Sequence, residues 1–319
     1  MIIVNRNGAD HLRWCLPSLR SQSLQPLEII VVDNDSSDES AEVAGSFGAR
    51  WISLGTNMGL ASALNCGAQA ALGNLLLFVN NDMKFDAEFV RALARPLESN
   101  EQLFATDAMQ FNWDGTARRH MATRLTRDSD RSAALTKLVP GLYFYPQEEA
   151  AHSYVFMGSA ACMMARKVLF ERLNGFDHRL PFGYEDVEIC WRAWIHGWRT
   201  LYVSDAICWH RVGGSARSQS AERLGFRGVL KGRLIFATKL LSSRFAFRTW
   251  LVSAIGLAKD IINLRWKCAF DRMSVLISTF VLIPALLREK KSLFNTAGSS
   301  PGKHLELMLR LTDNRHIPN

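Results

Sequence analysis

Short apolar runs alternate with amphipathic segments through the first third of the chain. Four runs have the length of single strands: Met1–Val4, Glu28–Val32, Trp51–Leu54 and Leu75–Val79. Between them, Asp10–Gln22 and Gly59–Leu72 place apolar residues at helical spacing, with Pro17 either kinking the first helix or marking a later start. Continuous apolar strands that alternate with helices are typical of buried parallel sheets. The pattern predicts an α/β fold with a doubly wound, mostly parallel sheet.

The middle of the chain is less regular. Val155–Ala165 predicts one strand through the core, in which Gly158 would let a ligand approach the backbone closely. Arg166–Leu173 is predicted to be a helix and Trp198–Val203 a further strand. Asn112–Glu149 is basic at first and loop-like later, which indicates an insertion whose structure the pattern does not define.

Beyond Ala221 the pattern changes to long helical runs in which Arg and Lys separate apolar clusters. The most apolar stretch, Met273–Leu287, is interrupted by Pro284 and is shorter than the roughly 20 residues that a spanning helix needs. A basic, apolar helical segment fits a helix lying among lipid headgroups, and ordinary packing on the preceding domain is the alternative. The predicted division is a sheet domain, 1–220, and a helical extension, 221–319.

The charge of the chain is concentrated in this extension. The 319 residues carry a net charge of +8, and residues 211–319 hold 19 Lys and Arg against 6 Asp and Glu. Such asymmetry predicts an anionic partner surface, and no nucleic-acid motif accompanies it, so we expect a membrane. Six cysteines without a C-x-x-C pair indicate reduced core thiols in a reducing compartment. The first apolar run is too short for a signal peptide.

Polar residues follow the predicted strands at the points where they end. Asp33 follows the second strand, and Asn80, Asn81 and Asp82 follow the fourth. Ligands bind beyond the carboxyl ends of the strands in sheets of this type. Asp33 could accept hydrogen bonds from a ligand, or could close the turn before Ser36-x-x-Glu39, which is typical of a capping box that begins a helix.

A second group of acidic residues begins the segment GYEDVEICWR. Glu185 and Asp186 follow a Pro-Phe-Gly-Tyr turn, and the residues after them are apolar at helical spacing. Carboxylates in a first helical turn are stabilised by the helix dipole, so both residues could simply cap the helix. The sharper hypothesis is a general base, since two close carboxylates raise the pKa of one of them.

Several of these segments together resemble family 2 inverting glycosyltransferases, in particular the rhamnosyltransferase-like branch. The resemblance rests on Gly175–Asp177, on FGYEDVEICWRAWIHGWRTLYVSDA and on the donor-side segments of the N-terminal half, about residues 1–215. It implies the GT-A form of the doubly wound sheet. The resemblance also implies that Asp186 deprotonates the acceptor hydroxyl, with Glu185 orienting it or binding the acceptor.

The resemblance further implies a donor site and a metal site. The residues expected to face the nucleotide sugar are Asn5, Asp33, Asn57, Gly59, Asn65, Asn81 and Gly158. Asn80–Asp82 stands where the family has an Asp-x-Asp motif, which implies a divalent Mg or Mn ion held by Asp82 and Asn80. His210 could complete its ligand shell, although a lone His is more often structural. The sequence departs from the family pattern at Glu188, which replaces Asp, and at Arg6, which replaces an aromatic residue.

The expected function is transfer of a sugar, rhamnose as the first hypothesis, from a nucleotide-diphosphate donor to a glycan or lipid-linked acceptor in cell-surface polysaccharide assembly. The expected location is the cytoplasm, peripheral on the inner face of the plasma membrane. Two alternatives remain: a non-catalytic protein that binds nucleotide sugars or an anionic surface, and a nucleotidyltransferase. Release of nucleotide from a donor distinguishes the first alternative, and retention of the phosphosugar bond distinguishes the second.

Overall fold

A ten-stranded sheet with helices on both faces forms the core of the protein. The computed structural model describes residues 1–116, 118–120, 123–127, 136–146, 152–180, 183–211 and 219–311. The strands are β1 Ile2–Asn5, β2 Ile30–Asp33, β3 Arg50–Ser53, β4 Leu75–Asn80, β5 Met83–Phe85, β6 Leu103–Asn112, β7 Arg118–His120, β8 Thr123–Thr126, β9 Thr136–Val139, β10 Leu142–Pro146, β11 Ser153–Val155, β12 Cys162–Arg166 and β13 Arg199–His210.

Helices precede, separate and follow these strands. They are α1 Ala9–Arg20, α2 Ser40–Ser46, α3 Leu60–Ala70, α4 Phe89–Ser99, α5 Lys167–Arg172, α6 Glu185–Ile195, α7 Gln219–Leu240, α8 Ser243–Ile262, α9 Trp266–Phe280, α10 Ile283–Thr296 and α11 Pro301–Leu311. Helix α1 continues through Pro17, so the predicted later start is wrong.

Four neighbouring strands on one side of the sheet are parallel. The strand order is β11-β13-β6-β12-β4-β1-β2-β3, in which β4, β1, β2 and β3 run parallel and β12 runs antiparallel to both of its neighbours. Successive residues of β1 point to opposite faces, so Ile2 packs on the side of α3 and α6 and Ile3 on the side of α1 and α4. The predicted doubly wound, mostly parallel α/β sheet is confirmed.

Two strand predictions are wrong in extent. Residues 156–161 leave the sheet between β11 and β12, so Val155–Ala165 is not one strand. Apolar composition does not distinguish a buried loop from a strand, and this loop is fixed by a hydrogen bond from Ser159 N to Asp107 Oδ1 at 2.9 Å. Conversely, β13 continues to His210 across a register shift between Val203 and Ile207. The shift absorbs Ser204 and Asp205, which look like a strand end.

The predicted insertion contains a small antiparallel sheet of order β8-β10-β9. Its buried residues Leu125, Leu138 and Leu142 join the same core as α6 and α7. The rest of Asn112–Glu149 lies outside the described residues.

The first helix of the C-terminal extension belongs to the main core. Ile235, Phe236 and Ala237 of α7 are wholly buried in it, and the Phe236 ring packs edge-on against Trp191 of α6 with the ring centroids 5.1 Å apart. Leu286 of α10 and Met308 of α11 are also wholly buried in that core. The division after residue 220 stays a prediction, because the apolar core is continuous across it.

The cysteines in the described structure are free thiols. Cys15, Cys162, Cys190 and Cys208 are buried, as predicted, but Cys268 on α9 is exposed. Burial raises the pKa of the Cys190 thiol to about 12, which keeps it protonated.

Candidate active site

The carboxyl ends of β1, β2 and β4 bring three of the predicted residues into adjacent register positions. Asn5 pairs with Asp33 across β1 and β2, and Val4, one residue before Asn5, pairs with Asn80 across β1 and β4. Asp33 is buried, and its carboxylate accepts hydrogen bonds from Ser36 N at 3.1 Å and from the Ser53 hydroxyl at 3.4 Å. This edge is therefore polar and already organised by its own hydrogen bonds.

A chain of side-chain hydrogen bonds crosses this edge. Asn81 Nδ2 donates to Asn5 Oδ1 at 2.7 Å, and Asn5 Nδ2 donates to the Ser36 hydroxyl at 3.2 Å. Gly8 lies directly over the pair: a Cβ there would fall 2.3 Å from Asn81 Nδ2. The predicted capping box at Ser36 is wrong, because α2 begins at Ser40 and the Ser36 hydroxyl instead accepts from Asn7 N at 2.9 Å.

The loop before α3 forms one wall of the same edge. Asn34 Nδ2 donates to Asn57 Oδ1 at 3.0 Å, and Asn34 Oδ1 accepts from Met58 N at 2.8 Å. Gly59 has a φ of 82°, a left-handed conformation that favours glycine, and its N–H donates to Asn57 Oδ1 at 3.1 Å. Asn57 and Gly59 thus shape a turn fixed to the residue after Asp33.

Asn65 lies apart from the strand ends. Its side-chain amide donates to the carbonyl of Phe176 at 2.8 Å and accepts from Phe176 N at 2.9 Å. These two bonds fasten α3 to the Gly175–Asp177 turn, across 111 residues of sequence. The observed role of Asn65 is to position that turn, and its predicted contact with a nucleotide stays a prediction.

Asp82 and His210 meet between β4 and β13. His210 Nε2 lies 3.1 Å from Asp82 Oδ1, and the two side chains keep 17% and 16% of their surface exposed. The contact arises because β5, directly after Asp82, pairs with the end of β13, where His210 opposes Met83. Two residues that the resemblance implied as metal ligands, 128 positions apart, are thus brought together.

The donor set suits an ion that retains other ligands. Within the described ranges, no three His, Cys, Asp or Glu residues are grouped so that they could hold a metal by themselves. One carboxylate with one imidazole fits Mg²⁺ or Mn²⁺ if phosphate oxygens and water supply the remaining positions. Asp82 and His210 can therefore supply part of such a ligand shell. Asn80, the third predicted ligand, is the last residue of β4, two positions before Asp82.

Glu185 and Asp186 occupy the first turn of α6, as predicted. Asp186 Oδ1 accepts from Val187 N at 2.7 Å, while Asp186 Oδ2 lies 3.4 Å from Ala160 N in the loop between β11 and β12. The next residue of that loop, Ala161, accepts a hydrogen bond from Asn80 N at 3.1 Å. Asp186 thus lies beside the edge that carries the strand-end residues, held by the rigid start of a helix.

Glu185 is 3% exposed and differs sharply from its neighbour. Its carboxylate accepts from Gly183 N at 2.7 Å and from Tyr184 N at 3.0 Å, which fixes the turn before α6. Burial, reinforced by the adjacent charge of Asp186, raises the pKa of Glu185 to about 7 despite these bonds. The two carboxylates therefore differ in solvent exposure: Glu185 is buried, and Asp186 is partly exposed.

This raised pKa makes the stability of the protein depend on Glu185 in a defined pH window. The carboxyl is protonated in both states below pH 4.5, but from pH 4.5 to about 7 the folded state holds a proton that the unfolded chain has released. The free energy of unfolding should therefore fall with rising pH, relative to Glu185→Gln, by about 3 kcal/mol at ~1.4 kcal/mol per unit. Urea unfolding of both proteins from pH 4 to 8 checks this, and a pH-independent difference would contradict it.

Gly158 lies in the loop that faces Asp186. A Cβ at Gly158 would be 3.0 Å from Met163 Sδ and 3.3 Å from the Asp107 side chain, so a larger residue there would have to push the Met163 side chain aside. Asp107 is wholly buried in β6 and accepts from Ser159 N. Sequence reasoning missed Asp107, since a single acid within an apolar strand carries no positional signal.

Sequence reasoning also missed a buried ion cluster beneath α6. Glu188 is wholly buried and pairs with Arg192 at 2.6 Å and with Lys239 of α7 at 2.7 Å. Lys239 also contacts Asp177 at 2.9 Å, and Arg179 joins Asp177 to Glu289 of α10. Although burial acts to raise the pKa of Asp177, the neighbouring Arg179 and Lys239 hold it below the usual range. The cluster fixes α6, and hence Asp186, to α7 and α10.

The chain is similar in sequence to known glycosyltransferases. The model of glycosyl transferase family 2 matches residues 1–173. The chain is 23% identical over 294 residues to the low-salt glycan biosynthesis hexosyltransferase Agl10 of Haloferax volcanii, covering 91% of this chain and 85% of the relative. It is 23% identical over 249 residues to the N-acetylglucosaminyl-diphospho-decaprenol L-rhamnosyltransferase of Mycobacterium tuberculosis, covering 70% and 79%. Several other relatives are matched over about half of their length or less.

A solved structure supports the fold. The mannosyltransferase PcManGT from Pyrobaculum calidifontis, in complex with GDP-Man and Mn²⁺, matches with a TM-score of 0.55 over 98% of this chain and 84% of that one, at 18% identity. This likeness shows the architecture alone. Because the family model covers more than half of the chain, the protein belongs to glycosyl transferase family 2 and has the GT-A fold.

Proposed function

We propose that this glycosyltransferase moves a sugar from a nucleotide-diphosphate donor to an acceptor hydroxyl with inversion at the anomeric carbon. The observation that carries the proposal is the position of Asp186. Its carboxylate is held by the first turn of α6 and faces the loop that is hydrogen-bonded to the end of β4. It is the more open member of the pair, so it can meet a substrate hydroxyl.

A single displacement needs one base and no protein nucleophile. The acceptor oxygen forms a bond to the anomeric carbon while the bond from that carbon to the diphosphate oxygen breaks, and the hydroxyl proton passes to Asp186. Glu185 stays inside the protein and orients the turn through Gly183 N and Tyr184 N. Attack from the face opposite the leaving group inverts the configuration.

The strand-end residues form the donor side of the proposed site. Asp33 and Asn5 lie at paired positions where a nucleoside can be hydrogen-bonded, and the Asn57–Gly59 turn borders them. Asp82 and His210 would hold a divalent Mg or Mn ion, with Asn80 near them. The ion, when bound, would neutralise the departing diphosphate. The Mn²⁺ in the PcManGT complex supports the choice of a divalent ion.

Asp82→Ala should remove the metal-dependent part of donor binding. Without the carboxylate the proposed ligands, the His210 imidazole and the Asn80 amide, include no anionic group, so nucleotide affinity should lose its Mn²⁺ enhancement, about tenfold or more, ~1.4 kcal/mol. Calorimetry with UDP, GDP and dTDP, with and without Mn²⁺, measures this. Glu101→Ala, at an exposed turn before β6 and so at the opposite end of that strand, is the control. An unchanged Mn²⁺ enhancement would exclude Asp82 from the site.

The proposed donor sugar is rhamnose, and the proposed acceptor is a glycan or lipid-linked sugar of cell-surface polysaccharide assembly. The name of the mycobacterial relative, a rhamnosyltransferase that acts on a diphospho-decaprenol compound, supports both. A lipid-linked acceptor also suits action in the cytoplasm at the inner face of the plasma membrane. A panel of nucleotide sugars, scored by thermal stabilisation and slow hydrolysis, tests the donor. Binding without nucleotide release would favour a non-catalytic protein, and a product that keeps its phosphosugar bond would favour nucleotidyl transfer.

A further inference from the structure

Helix α8 buries polar side chains and exposes apolar ones. Its fully buried residues are Thr249, Ser253 and Asp260, which follow one stripe of the helix. The opposite stripe is exposed and apolar: Phe247, Leu251, Ile255 and Ile262, with exposed fractions of 70%, 46%, 46% and 77%. A helix on a water-soluble surface shows the opposite arrangement, with the apolar stripe toward the core.

Helix α9 repeats this reversal beside it. Asp271, Val275 and Thr279 form its buried stripe. Its outward stripe is Trp266, Phe270, Met273, Ile277 and Phe280, of which Phe270, Ile277 and Phe280 are each about 60% exposed. Small and polar residues between helices, with large apolar residues outside, are typical of helices whose outer surface meets lipid.

The interior of this pair is held together by charge. Asp260, 1% exposed, pairs with Arg265 and with Arg272, the latter at 2.9 Å. Asp271 lies 3.6 Å from Arg227 of α7. The acidic groups of α8 and α9 are thus buried and paired, Asp260 within the pair and Asp271 with α7, so the outer surface presents basic and apolar groups without exposed carboxylates.

The length of the apolar band determines how the pair can meet a membrane. Residues 249–258 of α8 and 273–280 of α9 contain no charged residue, and basic residues stand at both ends of α8, with Arg244 and Arg248 at one and Lys259 at the other. Ten residues of helix extend about 15 Å, half of a hydrocarbon core. Within the described residues, no single helix is long and apolar enough to cross a bilayer; α9 and α10 together pass by length and composition but are bent by 53°.

We propose that the outer face of the α8–α9 pair inserts into one leaflet of a lipid bilayer, with both helices lying in the membrane plane. The apolar stripes would enter the boundary of headgroups and acyl chains, and the basic residues at the helix ends would contact anionic headgroups. The occupant is a lipid surface because the exposed stripes are apolar while the residues beside them are cationic. The inference does not depend on sugar transfer, and it differs from purely electrostatic attachment of a basic tail.

Flotation of the full-length protein with vesicles of phosphatidylethanolamine and phosphatidylglycerol tests the insertion. Binding should persist at 1 M NaCl, where the screening length is ~3 Å, because apolar contact is insensitive to salt. Phe270→Asp with Ile277→Asp should lower the partition coefficient about tenfold or more. The control is Leu27→Asp with Leu72→Asp, which changes two leucines on the sheet domain that are at least as exposed as Phe270 and Ile277. This variant should leave the partition coefficient unchanged. Nucleotide affinity of all variants, measured without vesicles, should be unaltered, which separates this result from failure of the proposed catalysis.

A fluorophore attached to the outer face of α9 tests whether that face enters the apolar part of the bilayer. Phe270→Cys, labelled with an environment-sensitive fluorophore after Cys66 and Cys268 are changed to Ser, should shift its emission to the blue on adding vesicles. The same label at Leu72→Cys should not shift. Complete loss of binding at 1 M NaCl, or equal binding by the Phe270/Ile277 variant, would overturn the proposal. So would a stable dimer that binds no vesicles and becomes monomeric in that variant, since a second copy would then cover the face.

Discussion

Asp186→Asn should lower the rate of sugar transfer by ~10²–10⁴, the usual cost of losing a general base. Asparagine keeps the shape of the side chain and can still accept from Val187 N, as Asp186 does at 2.7 Å, but it cannot take a proton at neutral pH. Donor affinity should change by less than about fivefold, ~1 kcal/mol, because the nucleotide contacts lie at the strand ends. Initial rates and calorimetry on the same preparations give both quantities.

Two matched variants separate the base from a helix cap. Glu185→Gln should lose less activity, since the Glu185 carboxylate binds Gly183 N and Tyr184 N and has an orienting role. Asp10→Asn alters an exposed acid in the first turn of α1, so it reports the cost of removing a helix-end charge elsewhere. Near wild-type transfer by Asp186→Asn, with a stability loss like that of Asp10→Asn, would show that Asp186 only caps α6.

Lys239→Met should destabilise the protein by about 3 kcal/mol or more, because removing one partner of a buried ion cluster leaves charge uncompensated. The Lys239 ammonium contacts Glu188 at 2.7 Å and Asp177 at 2.9 Å, and both carboxylates are buried. Arg192 and Arg179 remain as partners, which limits the loss. Urea unfolding measures the change in the free energy of unfolding.

An exposed lysine on the neighbouring helix α10 supplies the control. Lys291→Met removes the same charge from the surface and should change the free energy of unfolding by at most ~0.5 kcal/mol. If the two substitutions cost the same, the Lys239 cluster contributes no more than a surface charge and does not fix α6.

The strand ends were predictable because they depend on local pattern. Continuous apolar runs define β1, β2 and β4, and polar residues that follow such runs must lie at one edge of a parallel sheet. The start of α6 was predictable for the same reason, since Glu185 and Asp186 directly precede residues at helical spacing. The resemblance to a known family then gave these positions roles that their residue types alone leave open.

Contacts between distant segments were not predictable. Asn65 binds Phe176 across 111 residues, and nothing in either neighbourhood indicates the pairing. Lys239 lies in a helix rich in basic residues, where a buried lysine has the same local pattern as exposed ones. The apolar spacing of α9 indicates two stripes, but only the packed structure shows that the polar stripe faces the protein.

The buried ion cluster limits how this protein can be divided or recombined. A chain cut before α7 would lose Lys239 and Glu289 together, and Glu188, Asp177 and Arg179 would be left partly unmatched inside the sheet domain. If such a truncated chain failed to bind vesicles or to transfer sugar, the cause would be misfolding, and the result would not test membrane binding. The α8–α9 pair is different, since its own acids are paired within it or with α7. Any segment that replaces this pair must nevertheless cover Leu230 and Leu234 of α7, which are buried together with Val275 of α9.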